Sequence, residues 1–166
     1  MDEGLQGSFA DPEHDHAHCV TGAMASAETI CRVRGARLTG HRRRVLETIW
    51  KSHVPIGAYD ILAALSPDDR AVAPPTVYRA LEFLQAHGLV HKIESLKAYV
   101  GCQHPGHDHV GQFLICQDCG NAAEIDDPKI DQAIQGRAAA AGFRVTETTL
   151  EVRGICPSCA SDQDAL

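Results

Sequence analysis

The sequence predicts an α+β fold, with an N-terminal winged helix-turn-helix followed by a small α/β domain. Three observations predict it. Between residues 39 and 101, three helical stretches with apolar faces are followed by two short strand-like runs joined by a turn. Beyond Cys102 the pattern changes to a His-rich loop, a strand, a helix and a second strand. A C-x-x-C pair ends each of those strands, Cys116 with Cys119 and Cys156 with Cys159.

The elements follow in order. Residues 1–22 are polar, lack apolar periodicity and read as a flexible tail. A short helix is expected over 23–34, with Cys31 as a small buried apolar residue. Thr39 is placed to cap the next helix, GHRRRVLETIW, whose Val45, Leu46 and Ile49 share a face. AYDILAALS supplies another, with Ile61, Leu62 and Leu65 apolar, and SPDDRAVA reads as a loop. PPTVYRALEFLQAHG is the best marked helix. Its prolines occupy the first turn, where an N–H would lack a partner anyway, and Gly88 suits a left-handed stop. LVHKIES and LKAYVG then form the wing hairpin. In the second half, GQFLIC reads as a strand, and a helix follows from an Asp cap through Pro128 to Gly142. The β-branched segment RVTETTLEVRGIC, 144–156, reads as a further strand. The expected organisation is a tail over 1–22, a winged-helix domain over 23–100 and a zinc-binding domain over 101–166.

The zinc follows from the cysteines. A C-x-x-C turn lets two thiolates converge on one ion, and two such turns complete a tetrahedron at about 2.3 Å per sulfur. A thioredoxin-like redox pair would use one C-x-x-C and leave the other idle. The N-terminus has neither a basic start nor an apolar stretch typical of a secretory signal, and no run is long enough to span a bilayer. These features predict a cytoplasmic chain without membrane association, where seven cysteines suit metal ligation better than disulfides.

A second set of ligand types lies nearby: His91, Cys102, the loop histidines His104, His107 and His109, and Glu124. A thiolate, imidazoles and a carboxylate make a mixed set that zinc accepts and that disfavours manganese or magnesium. Spacing alone does not choose among the loop histidines. His14, His16, His18 and Cys19 form a further metal-friendly tract, read as having no essential role. The net charge of −7 hides an uneven distribution. Residues 1–30 carry −6, residues 31–95 carry +4 and residues 96–166 carry −5, so a polyanionic partner would meet the middle. Arg42, Arg43 and Arg44 are candidate phosphate contacts there. Thr76, Tyr78 and Arg79 stand near the start of the helix expected to enter a major groove. No nucleophile–base motif or phosphate-binding loop is present, so neither a catalytic role nor a small-molecule substrate is expected.

Together AYDILAAL, PPTVYRALEFL, GLVHKIES with AYVGC, and FLICQDCGNAAE with GICPSC resemble the ferric uptake regulator family, more narrowly its zinc uptake regulator branch. The resemblance covers about residues 28–160. It implies a homodimeric, zinc-responsive repressor of zinc-uptake genes that binds a double-stranded DNA operator, with a C-terminal dimerisation domain and two Zn2+ per chain. It assigns regulatory zinc to His91, Cys102, His109 and Glu124, and structural zinc to Cys116, Cys119, Cys156 and Cys159. His109 is chosen because it stands seven residues before Cys116, as in that branch. Base contact falls to Arg79 and Tyr59. Iron- and peroxide-sensing relatives carry a His three residues before the first cysteine, where this chain has Phe113. An iron- or peroxide-responsive repressor and a zinc-stabilised C-x-x-C redox protein are the alternatives.

Overall fold

The computed structural model describes Phe9 and residues 14–66, 72–107 and 109–163. Helices α1 (His16–Val33), α2 (Gly40–Trp50), α3 (Ala58–Leu65) and α4 (Pro74–Ala86) surround one core, with strands β1 (Ile56–Gly57), β2 (Val90–Ile93) and β3 (Ala98–Gly101) along one side. Strands β4 (Gln112–Cys116) and β5 (Ala122–Ile125), helix α5 (Pro128–Ala140), strand β6 (Leu150–Gly154) and helix α6 (Pro157–Gln163) complete the chain. Among the described residues no helix is long and apolar enough to cross a membrane.

The first core is built from helix faces. Val45, Leu46 and Ile49 of α2 meet Ile61 and Leu65 of α3, and Val77, Leu81 and Leu84 of α4. Their three- and four-residue spacings produce the apolar stripes read in the sequence. Helix α1 adds Met24, Ala27 and Cys31 to the same core. It begins at His16, seven residues before the expected start, because the Asp15 carboxylate accepts the Ala17 N–H at 2.9 Å and caps it. The expected tail therefore shortens, and residues 1–8 and 10–13 lie outside the described residues. Thr39 takes the N-cap position of α2, but its side chain makes no capping bond. Its carbonyl accepts the Arg43 N–H at 2.9 Å. Pro74 and Pro75 open α4, and Gly88 follows it at φ +64°.

The wing is a three-stranded antiparallel sheet in the order β1-β3-β2, with His91 opposite Val100. Strand β1 pairs only Ile56 with Tyr99 and Gly57 with Ala98 and was not expected. The second sheet has the order β5-β4-β6, β4 running antiparallel to β5 and parallel to β6. Residues 144–149, expected to be strand, are not. Parallel pairing begins at Gln112 with Leu150, where β4 itself starts, so the preceding β-branched residues have no strand to pair with.

The two sheets meet in a second, smaller core. Ile93 and Val100 of the wing pack with Phe113, Ile115 and Ala122 of the second sheet. The Glu151 carboxylate on β6 accepts the backbone N–H groups of Glu94 (2.7 Å) and Ser95 (3.2 Å) in the wing turn. The Ala122 N–H donates to the His53 carbonyl at 3.1 Å, tying the loop after α2 to β5. At the end of β3 the packing requires glycine, since a Cβ on Gly101 would lie 2.2 Å from the Trp50 ring. Gly101→Ala should therefore destabilise the chain by about 1–3 kcal/mol, through overpacking. Urea unfolding checks this, and an unchanged midpoint would refute it.

Candidate metal centres and DNA-facing surface

Parallel pairing of β4 and β6 delivers both C-x-x-C turns to one end of the second sheet, with Cys116 opposite Gly154. One sulfur from each of Cys116, Cys119, Cys156 and Cys159 lies within 4.8 Å of the others. Cys119 Sγ and Cys156 Sγ are 3.8 Å apart, and the Cys156 N–H donates to Cys116 Sγ at 3.3 Å. The first turn closes through the Gly120 N–H to the Cys116 carbonyl at 3.1 Å, with Gly120 at φ +75°. Backbone N–H groups of Cys119 and Cys156 hold the Cys116 thiol down to about 6, whereas the Cys156 thiol beside Cys159 pushes the latter above its usual range. Four crowded sulfurs cannot all ionise unless a cation joins them, and the set fits a closed tetrahedral zinc site.

The structure also brings His91, Cys102, His109 and Glu124 together, again with one ligand atom of each within 4.8 Å of the others. They come from four places: β2, the residue after β3, the loop before β4, and β5. Glu124 is only 2% exposed. Its Oε1 lies 2.6 Å from His109 Nε2 and 2.8 Å from His91 Nε2, and its Oε2 accepts the Gln103 N–H at 2.8 Å. His91 Nε2 is close to the carboxylate but out of line for a hydrogen bond. His109 Nδ1 donates to the His107 carbonyl at 3.1 Å, so Nε2 is the nitrogen that faces Glu124 Oε1 and Cys102 Sγ (3.6 Å) and that a metal would take in place of its proton.

Electrostatics match this geometry. Burial works to raise the Glu124 carboxyl, but the neighbouring His91, the Gln103 N–H and His109 hold it down to about 2. Burial works to lower His109, yet the Glu124 carboxylate keeps it above the usual imidazole value. The Cys102 thiol is pushed up to about 12, first by burial and then by the charge of Glu124. A thiolate there requires a cation, so the residues fit zinc.

The other loop histidines go elsewhere. His107 Nε2 pairs with Asp126 at 3.0 Å, and His104 has a buried Nδ1 without a hydrogen-bond partner. Phe113 is buried in the junction core, its ring 5.4 Å from that of His91. Sequence reasoning missed Glu151 and His53, both single polar residues with no motif around them.

On the helical side, Tyr59 is 76% exposed in the first turn of α3, and Tyr78 and Arg79 are exposed in α4, with Thr76 half-buried. Tyr78 is thus a surface group and not a core residue. The arginine run is already engaged. Arg42 lies over the Phe83 ring at 3.5 Å and bonds the Arg37 carbonyl, Arg43 pairs with Glu28, and Arg44 Nη2 bonds the Leu65 carbonyl at 2.9 Å.

The lowered carboxyl of Glu124 has a consequence for the metal-free protein. A carboxyl at about 2 in the fold and near 4.5 unfolded contributes stability above about pH 4.5, and this is lost as pH falls towards 2. Glu124→Gln should flatten that window relative to the parent in pH-dependent unfolding. Parallel pH profiles would refute the assignment.

Comparison with known proteins agrees with these observations. The Ferric uptake regulator family pattern matches residues 33–153. The zinc uptake regulation protein of Escherichia coli (strain K12) is 37% identical over 82% of this chain and 80% of its own length. A solved zinc uptake regulator complexed with zinc and DNA superposes at a TM-score of 0.81, with 35% identity over 87% of this chain and 97% of its own. The holo form of XcZur gives 0.77 at 43% identity, covering 86% of this chain and 99% of its own. Its apo form, at 42% identity and the same coverage, gives only 0.52. This chain's arrangement follows the holo form.

Proposed function

The chain belongs to the ferric uptake regulator family and falls with its zinc uptake regulators, and on that premise we propose that it is a zinc-responsive repressor of zinc-uptake genes. It acts in the cytoplasm as a homodimer that binds a double-stranded DNA operator, without catalysis. The winged-helix domain, residues 23–100 with its first helix starting earlier, meets DNA, and residues 101–166 carry the dimer contact and the structural metal. The observation that carries the reading is that His91, Cys102, His109 and Glu124 converge at the junction between the wing and the second sheet.

Two zinc ions per chain are assigned, one to this regulatory set and one to the four cysteines. Bound at the regulatory set, zinc supplies a dication that neutralises the Cys102 thiolate and the Glu124 carboxylate. His91 and Cys102 report the position of the wing, and His109 and Glu124 that of the second sheet. Holding their four atoms at fixed separations fixes the angle between the two. The angle sets the spacing between the α4 helices of a dimer, and therefore whether both enter the major groove at matching half-sites. Arg79, Tyr59, Thr76 and Tyr78 face the bases. Arg42, Arg43 and Arg44 meet phosphates, Arg43 by exchanging Glu28 for the DNA backbone.

Support for the dimer comes from surface left uncovered. No residue of α5 is buried, β6 is an edge strand, and Phe143, Val152 and Ile155 are exposed. The thiolate in the regulatory set favours zinc over iron, and Phe113 occupies the position where iron- and peroxide-sensing relatives place a histidine. Convergence of four sulfurs, rather than two separate pairs, weighs against a redox role.

Zinc counting on purified protein tests the assignment: two equivalents, falling to one under a mild chelator with the fold intact. One equivalent throughout, even in zinc excess, would overturn the sensing role. Cys102→Ser should keep the chelator-resistant zinc and lose at least about tenfold in zinc-dependent operator affinity. Retained affinity would point to the iron- or peroxide-sensing alternative. Arg79→Ala should cost about 1–3 kcal/mol of operator binding and relax preference at one base pair, read by competition with single-base operator variants.

A further inference from the structure

A third cluster lies outside both metal sets. His14 stands just ahead of α1, His16 opens it, and His53 sits in the loop between α2 and β1. One ring nitrogen of each lies within 4.8 Å of the others. His14 Nε2 and His53 Nε2 are 2.9 Å apart, and the ring centroids are separated by 4.3 Å (His14–His16), 4.7 Å (His14–His53) and 5.1 Å (His16–His53). His14 and His16 precede the segment matched to the family, so neither regulatory nor structural zinc accounts for the cluster.

We propose that His14, His16 and His53 form a third site, a three-imidazole centre for a divalent ion of the zinc class, which pins the first turn of α1 to the loop after α2. Imidazole is the commonest ligand for such ions and binds in its neutral form. Three nitrogens at about 2.0–2.1 Å from zinc stand about 3.4 Å apart in a tetrahedron, so the 2.9 Å pair would open slightly and the other separations, none beyond 4.8 Å, would close by about 1.4 Å at most. Burial, together with His14 and His16 beside it, holds His53 below the ordinary imidazole value, which keeps it neutral and ready to ligate. His16 Nδ1 is buried without a hydrogen-bond partner. The rings are tilted by 38–55° to one another, so face-to-face stacking does not explain their meeting.

Such a site is weaker than the other two. It offers no thiolate or carboxylate to offset the charge of the ion, and its fourth position stays open to water. It would therefore load last, at the highest zinc. Its place in the fold gives that loading an effect. The His53 carbonyl accepts the Ala122 N–H of the second sheet, and a Cβ on Gly120, after the first C-x-x-C, would touch Val54. The centre therefore ties α1 to the loop that already links the wing half to the second sheet.

The test is a zinc titration of the full-length chain against a chromophoric chelator at pH 7.5, with zinc alone as the probe. Wild-type protein should take up one weakly held equivalent more than the His14→Gln/His16→Gln double variant, with affinity at that step falling at least about 100-fold. His53→Ala should remove the same equivalent. Cys102→Ser should remove a different one, so combining it with the double variant should remove two. The double variant changes two partly buried side chains at the very start of a helix, outside both apolar cores, so it decides the matter should His53→Ala fail to fold. Identical stoichiometry and isotherms for wild type and the double variant would overturn the proposal while leaving the regulatory assignment untouched.

Discussion

A carboxylate buried with almost no exposure, that of Glu124, sets the terms for the middle of this molecule. Removing such a charge from water costs several kcal/mol unless it is compensated on more than one side. The fold compensates it with two imidazoles and one backbone N–H, and each partner comes from a different segment. The hairpin register fixes where His91 can stand, and β4–β5 pairing fixes Glu124 opposite Phe113. The His107 carbonyl holds the ring of His109. Because those partners lie on both sides of the junction, satisfying the charge brings the wing and the second sheet into one arrangement. The junction core and the Glu151 clasp then reinforce it.

Topology does comparable work for the cysteines. Two C-x-x-C turns far apart in sequence meet only if the strands leading into them end side by side. An antiparallel neighbour would have put them at opposite ends of the sheet. The crossover through α5 allows β6 to run parallel to β4, which places both turns at the same end. The crossover helix then has no residue buried in the single chain, so the connection that builds the four-sulfur cluster also leaves a face uncovered. On the proposed reading, metal cluster and dimer surface are two outcomes of one chain path.

What the sequence disclosed follows from how local each signal is. The faces of α2, α3 and α4 repeat within a few residues, and a C-x-x-C turn is complete in four, so both were readable without neighbours. The choice among the loop histidines was not, because the His107–Asp126 pair and the bond from His109 to the His107 carbonyl depend on chain far from the loop. Resemblance to relatives, not spacing, singled out His109, whereas Glu124 already stood among the candidate ligands. The run 144–149 has strand composition but no partner, which composition cannot reveal. Strand β1 is too short for any period, and α1 starts in a polar stretch whose one readable sign was the Asp15 cap. His53 carried no local signal, since its neighbours His14 and His16 are distant in sequence.

The even division of ligands across the junction bears on how strongly zinc could bias the fold. Two of the proposed regulatory ligands travel with the wing and two with the second sheet, so an arrangement that separates these halves leaves any ion with half its set. Losing a group that merely orients a ligand already costs on the order of 10–100-fold in affinity, so losing two ligands outright costs at least on the order of 10²–10⁴. Shifting a two-state equilibrium from 1:99 to 99:1 takes about 10⁴. A ligand set gathered on one side of the junction would bind zinc as tightly in either arrangement and would shift nothing, however high its affinity. This chain superposes on the holo form of XcZur at a TM-score of 0.77 and on its apo form at 0.52, at nearly equal identity. The split, more than the strength of any single ligand, is therefore what suits this site to sensing.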